Sequence, residues 1–202
     1  MRKYSDPIVV IHGYEIHENG CLGSLSRLAC ERVLPVLIKN PMDKVVLLGG
    51  WDLQEVGATP TIADAMQAFL IQRGLKTEQI ITKRNFPSLD EYMPPRDPWE
   101  ELTLLEMMIP YINPKFDKNE DWIFFVAWDF NIPRFKKMYS KYGFKAGGIP
   151  IISEPHEGLR RMKLIEWAAR IRRFFDPQGV GVICHEARIK RTLRDDLKPL
   201  IP

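Results

Sequence analysis

The sequence predicts an α/β fold: a three-layer α/β/α Rossmann-like sandwich around a mainly parallel sheet. Short β-branched runs alternate with helix-period segments five times along the chain. Apart from the adjacent Pro94-Pro95, the 16 prolines are scattered singly, as punctuation rather than as a proline-rich tract. The composition, 45% hydrophobic and 27% charged over 202 residues, is that of a globular protein with a sizeable core.

The elements follow in order. Ile8–Ile11 reads as a buried strand. Residues 24–38 place Leu25, Leu28, Ala29 and Val33 at helical spacing, and Pro35 is expected to kink or end that helix. Lys44–Leu48 is a second strand, closed by Gly49-Gly50. The next helix is expected to start with Thr59 as cap and Pro60 in the first turn. It carries Ile62, Ala65, Met66, Phe69 and Leu70 on one face and ends at Gly74. Glu78–Thr82 is a short strand, followed by a polar, proline-bearing loop over 83–96. Loops of that length in compact domains tend to be lids or binding loops.

Asp97 then caps a helix with Pro98 at its first position. Trp122–Ala127, aromatic and β-branched, is the clearest strand. Asn131-Ile-Pro133 opens a helix that turns Phe135, Met138, Tyr139 and Tyr142 inward and stops at Gly143. Ile149–Ile152 and Val180–Cys184 are two further strands, with a helix over 158–174 between them. No repeat, low-complexity tract or linker divides the chain, so a single domain over 1–202 with a basic extension at 186–202 is expected.

No apolar run approaches the roughly 20 residues of a membrane helix, and Ile8–Ile11 is too short for a signal-peptide core. Three cysteines without a CxxC pair suit free thiols in a reducing compartment. Together these point to a cytoplasmic protein. The net charge of +3 conceals an asymmetry: −6 over residues 1–131 and +9 over 132–202. The basic third is either a solvated set of helix faces or a surface that attracts acidic partners. Tryptophan and tyrosine are not interleaved with basic residues, so no nucleic-acid partner is expected.

In such folds ligands sit beyond the carboxyl ends of the strands. Those ends carry His12-Gly13, Gly49-Gly50-Trp51-Asp52, Trp128 to Arg134, Ser153 to Glu157, and His185-Glu186. Gly13, Gly49 and Gly50 allow close backbone approach to a ligand, although Gly49-Gly50 equally suits a turn out of the sheet. Arg27 and Arg134 fall in the first turns of their helices, where each can pair bidentately with a phosphate or carboxylate. Asp52, Asp129 and His12 are the candidates for handling protons. His12, His17, Asp52, Asp129 and His185 show no metal-ligand spacing, so no metal site is expected. Cys184 reads as a core residue, and no GxSxG elbow is present.

The order of segments is similar to that of the YdcF / SanA / ElyC family, the domain of unknown function 218. The matching pieces are Ile8-Val-Val-Ile-His-Gly13, Arg27-Leu-Ala-Cys-Glu31, Val45-Val-Leu-Leu-Gly-Gly50, Met66-Gln-Ala-Phe-Leu70 with Gly74, Glu78-Gln-Ile-Ile81, Asp97-Pro-Trp-Glu-Glu101 and Phe125 to Arg134. They span roughly residues 7–152. The family's Ser-Gly-Gly has Leu48 in place of serine, its Thr-Ser is Ala127-Trp128, its Phe-His histidine is Asn131, and the Asn-Thr of its loop is Asp97-Pro98. The resemblance implies a pocket for a nucleotide-like ligand such as S-adenosylmethionine, and a link to cell-envelope and peptidoglycan biogenesis. Its membrane-anchored members carry an N-terminal apolar segment that this sequence lacks.

Two functions are therefore expected as alternatives. One is an enzyme of transfer or hydrolysis on a phosphorylated small molecule. Arg27 and Arg134 would hold the anion, amides at Gly13, Gly49 and Gly50 would cradle it, and Asp52, Asp129 or His12 would move protons. The other is a non-catalytic ligand-binding or sensor module using the same pocket, with Asn131 where the family has its histidine.

Overall fold

The computed structural model describes residues 7–13, 21–50, 60–86 and 98–152. The expected helix 158–174, the strand 180–184 and the basic extension lie outside them. The chain divides into two compact units, Met1–Ile152 and Ser153–Pro202, and every described residue belongs to the first.

Five strands form one sheet in the order β3-β2-β1-β4-β5, all parallel. They are β1 (Ile8–His12), β2 (Lys44–Leu48), β3 (Ile80–Ile81), β4 (Trp122–Trp128) and β5 (Lys145–Ile151). Four helices connect them: α1 (Ser24–Lys39), α2 (Ile62–Gln72), α3 (Pro98–Ile112) and α4 (Ile132–Lys141). The α/β architecture with a parallel sheet is thus as the sequence predicts. Strand order grows one way from β1 to β3 and then reverses to β4 and β5. This leaves a topological switch point between the carboxyl ends of β1 and β4.

The period of two along each strand divides the core into two layers. Ile8, Val10, Val46, Leu48, Ile123, Phe125 and Ala127 share one apolar cluster with Leu102, Leu105 and Met108 of α3 and Phe135, Met138 and Tyr139 of α4. The alternate positions Val9, Ile11, Val45, Leu47 and Val126 are equally buried but lie outside that cluster. They belong to the other face, where α1 and α2 pack together. His12 continues the series Ile8, Val10 and so belongs to the α3/α4 layer.

Several boundaries differ from expectation, each for a local reason. The α2 cap is Thr61 rather than Thr59. Thr61 Oγ1 accepts from the Asp64 amide at 3.2 Å, and Asp64 Oδ2 accepts from the Thr61 amide at 3.0 Å. Only Thr61 has an acid at the third helical position to close this reciprocal box. Pro35 does not end α1, which runs on to Lys39. Pro35 is exposed while Val33 and Leu37 on either side of it are buried, so packing carries the helix past the missing amide. Strand β3 shrinks to two residues because Glu78 and Gln79 are taken into a 3-10 turn and Thr82, whose amide donates to Asn85 Oδ1 at 2.7 Å, caps the next one.

Strand β5 begins four residues before the expected Ile149, and its first half carries two glycines. A Cβ on Gly147 would lie 3.0 Å from the Phe124 ring, and one on Gly148 would lie 2.7 Å from Ile132. A side chain at either position would require the Phe124 ring or the Ile132 side chain to shift. The same holds where β1 and β2 end: a Cβ on Gly13 would meet Ile62 Cγ2 at 2.5 Å and the Gly49 Cα at 3.2 Å. These two glycines seat the first residue of α2 directly on the sheet. Gly13→Ala is expected to lower unfolding stability by about 1–3 kcal/mol through overpacking. The check is a urea midpoint that falls at unchanged m-value.

Cys30 is buried in α1, and Cys21 is exposed ahead of that helix. Burial, with the Glu31 carboxylate adding to it, pushes the Cys30 thiol up to about 12. The folded state therefore keeps this proton where the unfolded chain releases it. Stability supplied by Cys30 is complete below pH 9 and is lost as pH rises from there towards 12. In a Cys184→Ser background at pH 8, Cys21 is expected to react with a disulfide reagent at once. Cys30 should react only on unfolding, as a thiol count with and without denaturant will read.

Candidate functional site

Because every strand runs the same way, Gly13, Gly49, Gly50, Asp129, Asn131 and Arg134 all lie along the carboxyl rim of the sheet. Arg27, in the first turn of α1, stands on the same rim. Asp52 lies outside the described residues, as do His17, His156, His185 and Cys184.

At the end of β1, His12 turns inward. Its Nδ1 is 2.5 Å from Glu101 Oε2 of α3, and its Nε2 is 2.9 Å from the Tyr139 hydroxyl of α4. All three residues are withdrawn from water: His12 is 1% exposed, Glu101 6% and Tyr139 0%. An ionised carboxylate only accepts, so Nδ1 carries a proton. In the neutral ring Nε2 then accepts the Tyr139 O–H, and every polar atom of the ring is matched. Phe135 lies against the imidazole at 4.7 Å between centroids, and Phe125 stacks on Tyr139 at 4.9 Å.

The three partners come from periodicity. His12 follows Ile8 and Val10 on one face. Glu101 shares a helical stripe with Leu105 and Met108, and Tyr139 shares one with Phe135. Sequence reasoning found His12 but missed Glu101 and Tyr139. The signal for Glu101 was a carboxylate at a core position of an apolar stripe. Tyr139 was expected inward, but only as an apolar residue.

The Gly13 amide and the Gly49 and Gly50 carbonyls are engaged by the scaffold itself. The Gly13 amide donates to the Leu48 carbonyl at 2.5 Å, which extends the β1–β2 ladder. The first amides of α2, Ile62 and Ala63, donate to the Gly50 and Gly49 carbonyls at 2.9 and 3.3 Å. With the Asp64 amide capped by Thr61, the α2 N-terminus satisfies its own donors.

Helix α4 begins differently. Its N-cap residue Asn131 has helical backbone angles, φ −90° and ψ −20°, and its side chain caps nothing. The backbone carbonyl of Asn131 accepts from the Arg134 and Phe135 amides at 3.0 and 3.1 Å. Asn131 is 7% exposed, and its Oδ1 is buried without a hydrogen-bond partner. One helical turn on, the half-buried Arg134 places its guanidinium carbon 5.6 Å from the centre of the Phe135 ring. Asp129 is exposed, its Oδ1 accepts from the Phe130 amide at 2.8 Å, and its own amide donates to the Ile151 carbonyl at 3.1 Å. Arg27 is exposed.

Among the described residues no three His, Cys, Asp or Glu side chains gather as a metal would require. No helix among them is long and apolar enough to cross a membrane. No protein-family model matches the chain, and no curated protein or solved structure matches it.

Bringing a carboxylate and an imidazole into this layer costs desolvation, which the hydrogen bonds to the ring offset. Removing one partner leaves the other stranded. His12→Leu, which strands a buried carboxylate, should destabilise by about 3–5 kcal/mol, and Glu101→Leu, which strands a ring N–H, by about 1–3 kcal/mol. The double variant should lose much less than the sum, because it leaves neither the carboxylate nor the ring N–H without its partner. A denaturation cycle over the four proteins measures the difference.

Proposed function

We propose that this chain binds a phosphorylated or nucleotide-like small molecule at the carboxyl rim, on the α4 side of the switch point between β1 and β4. The observation that carries this reading is Asn131 Oδ1. It is an acceptor held out of water with nothing to accept from, one helical turn before Arg134. An unmet buried acceptor costs about 1–3 kcal/mol. A ligand that brings a hydroxyl or amino donor beside an oxyanion would satisfy Asn131 and place its charge beside Arg134. Nucleotides, sugar phosphates and S-adenosylmethionine all carry that pair of groups. The resemblance to the YdcF / SanA / ElyC family points to the same ligand class.

A binding or sensor module accounts for this geometry with the fewest additions. His12 is sealed behind Tyr139, and among the described residues Asp129 is the one exposed carboxylate at the rim. The enzyme alternative, transfer or hydrolysis on a phosphorylated molecule in cell-envelope metabolism, is favoured by one feature: Glu101 orients His12 as carboxylates orient imidazoles in proton-transfer sites. Its proton would have to pass through the Tyr139 hydroxyl.

A thermal-shift screen over nucleotides, S-adenosylmethionine and sugar phosphates should give a stabilising ligand. Arg134→Ala should then weaken its binding by about 1.5–3 kcal/mol, the scale of a charge-assisted hydrogen bond, and calorimetry reads the loss. Asn131→Leu should raise the melting temperature of the free protein while lowering affinity. An unchanged affinity in both variants rejects the site.

A further inference from the structure

We infer that Glu101, His12 and Tyr139 preorganise Arg134 by fixing the ring on which its guanidinium rests. The inference rests on the proposed role of Arg134 in gripping an oxyanion, and it makes the three buried residues positioning residues for that grip. None of them touches the ligand.

The contacts form a continuous series. Glu101 Oε2 holds His12 Nδ1 at 2.5 Å, and Tyr139 holds Nε2 at 2.9 Å, so the imidazole can neither rotate nor slide. Phe135 packs on that imidazole at 4.7 Å and on Phe125 at 5.6 Å. It is 2% exposed, which leaves its ring one seat. The Arg134 guanidinium lies 5.6 Å from the same ring, and its Nε is buried. A planar cation over an aromatic face keeps its outer N–H groups in a fixed plane. Tyr139 and Phe135 are one turn apart on α4, so the hydrogen bond and the ring contact both anchor the turn that directly follows Arg134.

A wholly apolar layer would pack α3 and α4 on the sheet without the cost of burying a carboxylate and an imidazole. What the polar trio adds is direction: hydrogen bonds fix the angle of the imidazole, which dispersion contacts alone do not. A fixed guanidinium plane favours ligands that accept two parallel hydrogen bonds, either phosphate or carboxylate. It also spares the entropy of ordering a long side chain on binding.

The test uses the full chain with Tyr139→Phe, Glu101→Gln and Phe135→Leu, each studied at a temperature where circular dichroism shows it folded. Lys137→Ala, on the exposed side of α4, is the control. Calorimetric titrations use ADP, inorganic phosphate and acetate, which separates phosphate from carboxylate recognition. In parallel, 15N relaxation of the Arg134 Nε–H group reports the order of the side chain without any ligand.

Tyr139→Phe and Phe135→Leu are expected to lose about 5- to 20-fold in affinity for the preferred probe and to lower the Arg134 Nε–H order parameter. Lys137→Ala should change neither. An Arg134 order parameter unchanged in all three variants overturns the inference, whatever the titrations show. Lowered order with wild-type affinity also overturns it, because the positioning would then serve no grip. If no probe binds wild type while the order parameter still falls in the variants, the anion site itself is refuted and the mechanical link stands.

Discussion

A carboxylate and an imidazole meet out of reach of water at the end of the central strand, and the rest of this half of the molecule is arranged to let them. Glu101 comes from the first turn of α3, His12 from the last residue of β1 and Tyr139 from α4. Apolar packing alone would tolerate these helices shifted by a fraction of a turn. Two directional hydrogen bonds on one ring do not. The pair therefore acts less as a source of net stability than as a constraint on how α3 and α4 sit on the sheet.

That constraint places chemistry unevenly along the rim. On the β2 side, Gly13 and Gly49 are used for close packing, and α2 caps itself through Thr61 and Asp64. On the β4 side, α4 opens with an asparagine whose side chain caps nothing and an arginine laid over an aromatic ring. The two helix starts share a rim and a parallel sheet, yet one is internally satisfied and the other faces the switch point with an unmet acceptor. Glycine-rich strand ends are often read as anion cradles. Here the carbonyls of Gly49 and Gly50 receive the first amides of α2, and Asn131 and Arg134 stand further along the same rim.

Much of the scaffold was legible because it depends on local properties. Ile8–Ile11, Lys44–Leu48 and Trp122–Ala127 are apolar runs whose length and branching suit covered strands. Gly74 and Gly143 end their helices at positive φ, 92° and 77°. What was illegible depends on neighbours far off in sequence. Gly147 and Gly148 have poor strand propensity, and the pairing with β4 that makes them part of β5 shows only in the fold. Glu101 looks like any acid in a helical first turn until His12, 89 positions away, is found beside it. The rim position of Arg134 followed from the order of strands. Its seat on Phe135 required knowing where the imidazole lay.

The enclosure of His12 has a further consequence for how this protein breathes. A proton on Nδ1, closed in by α3, α4 and the sheet, has no path to solvent while the layer is shut. Its exchange with deuterium must wait for that layer to part. The lifetime of one ring proton is thus a clock for the opening of a whole half of the fold, wound by the same contacts that keep it closed.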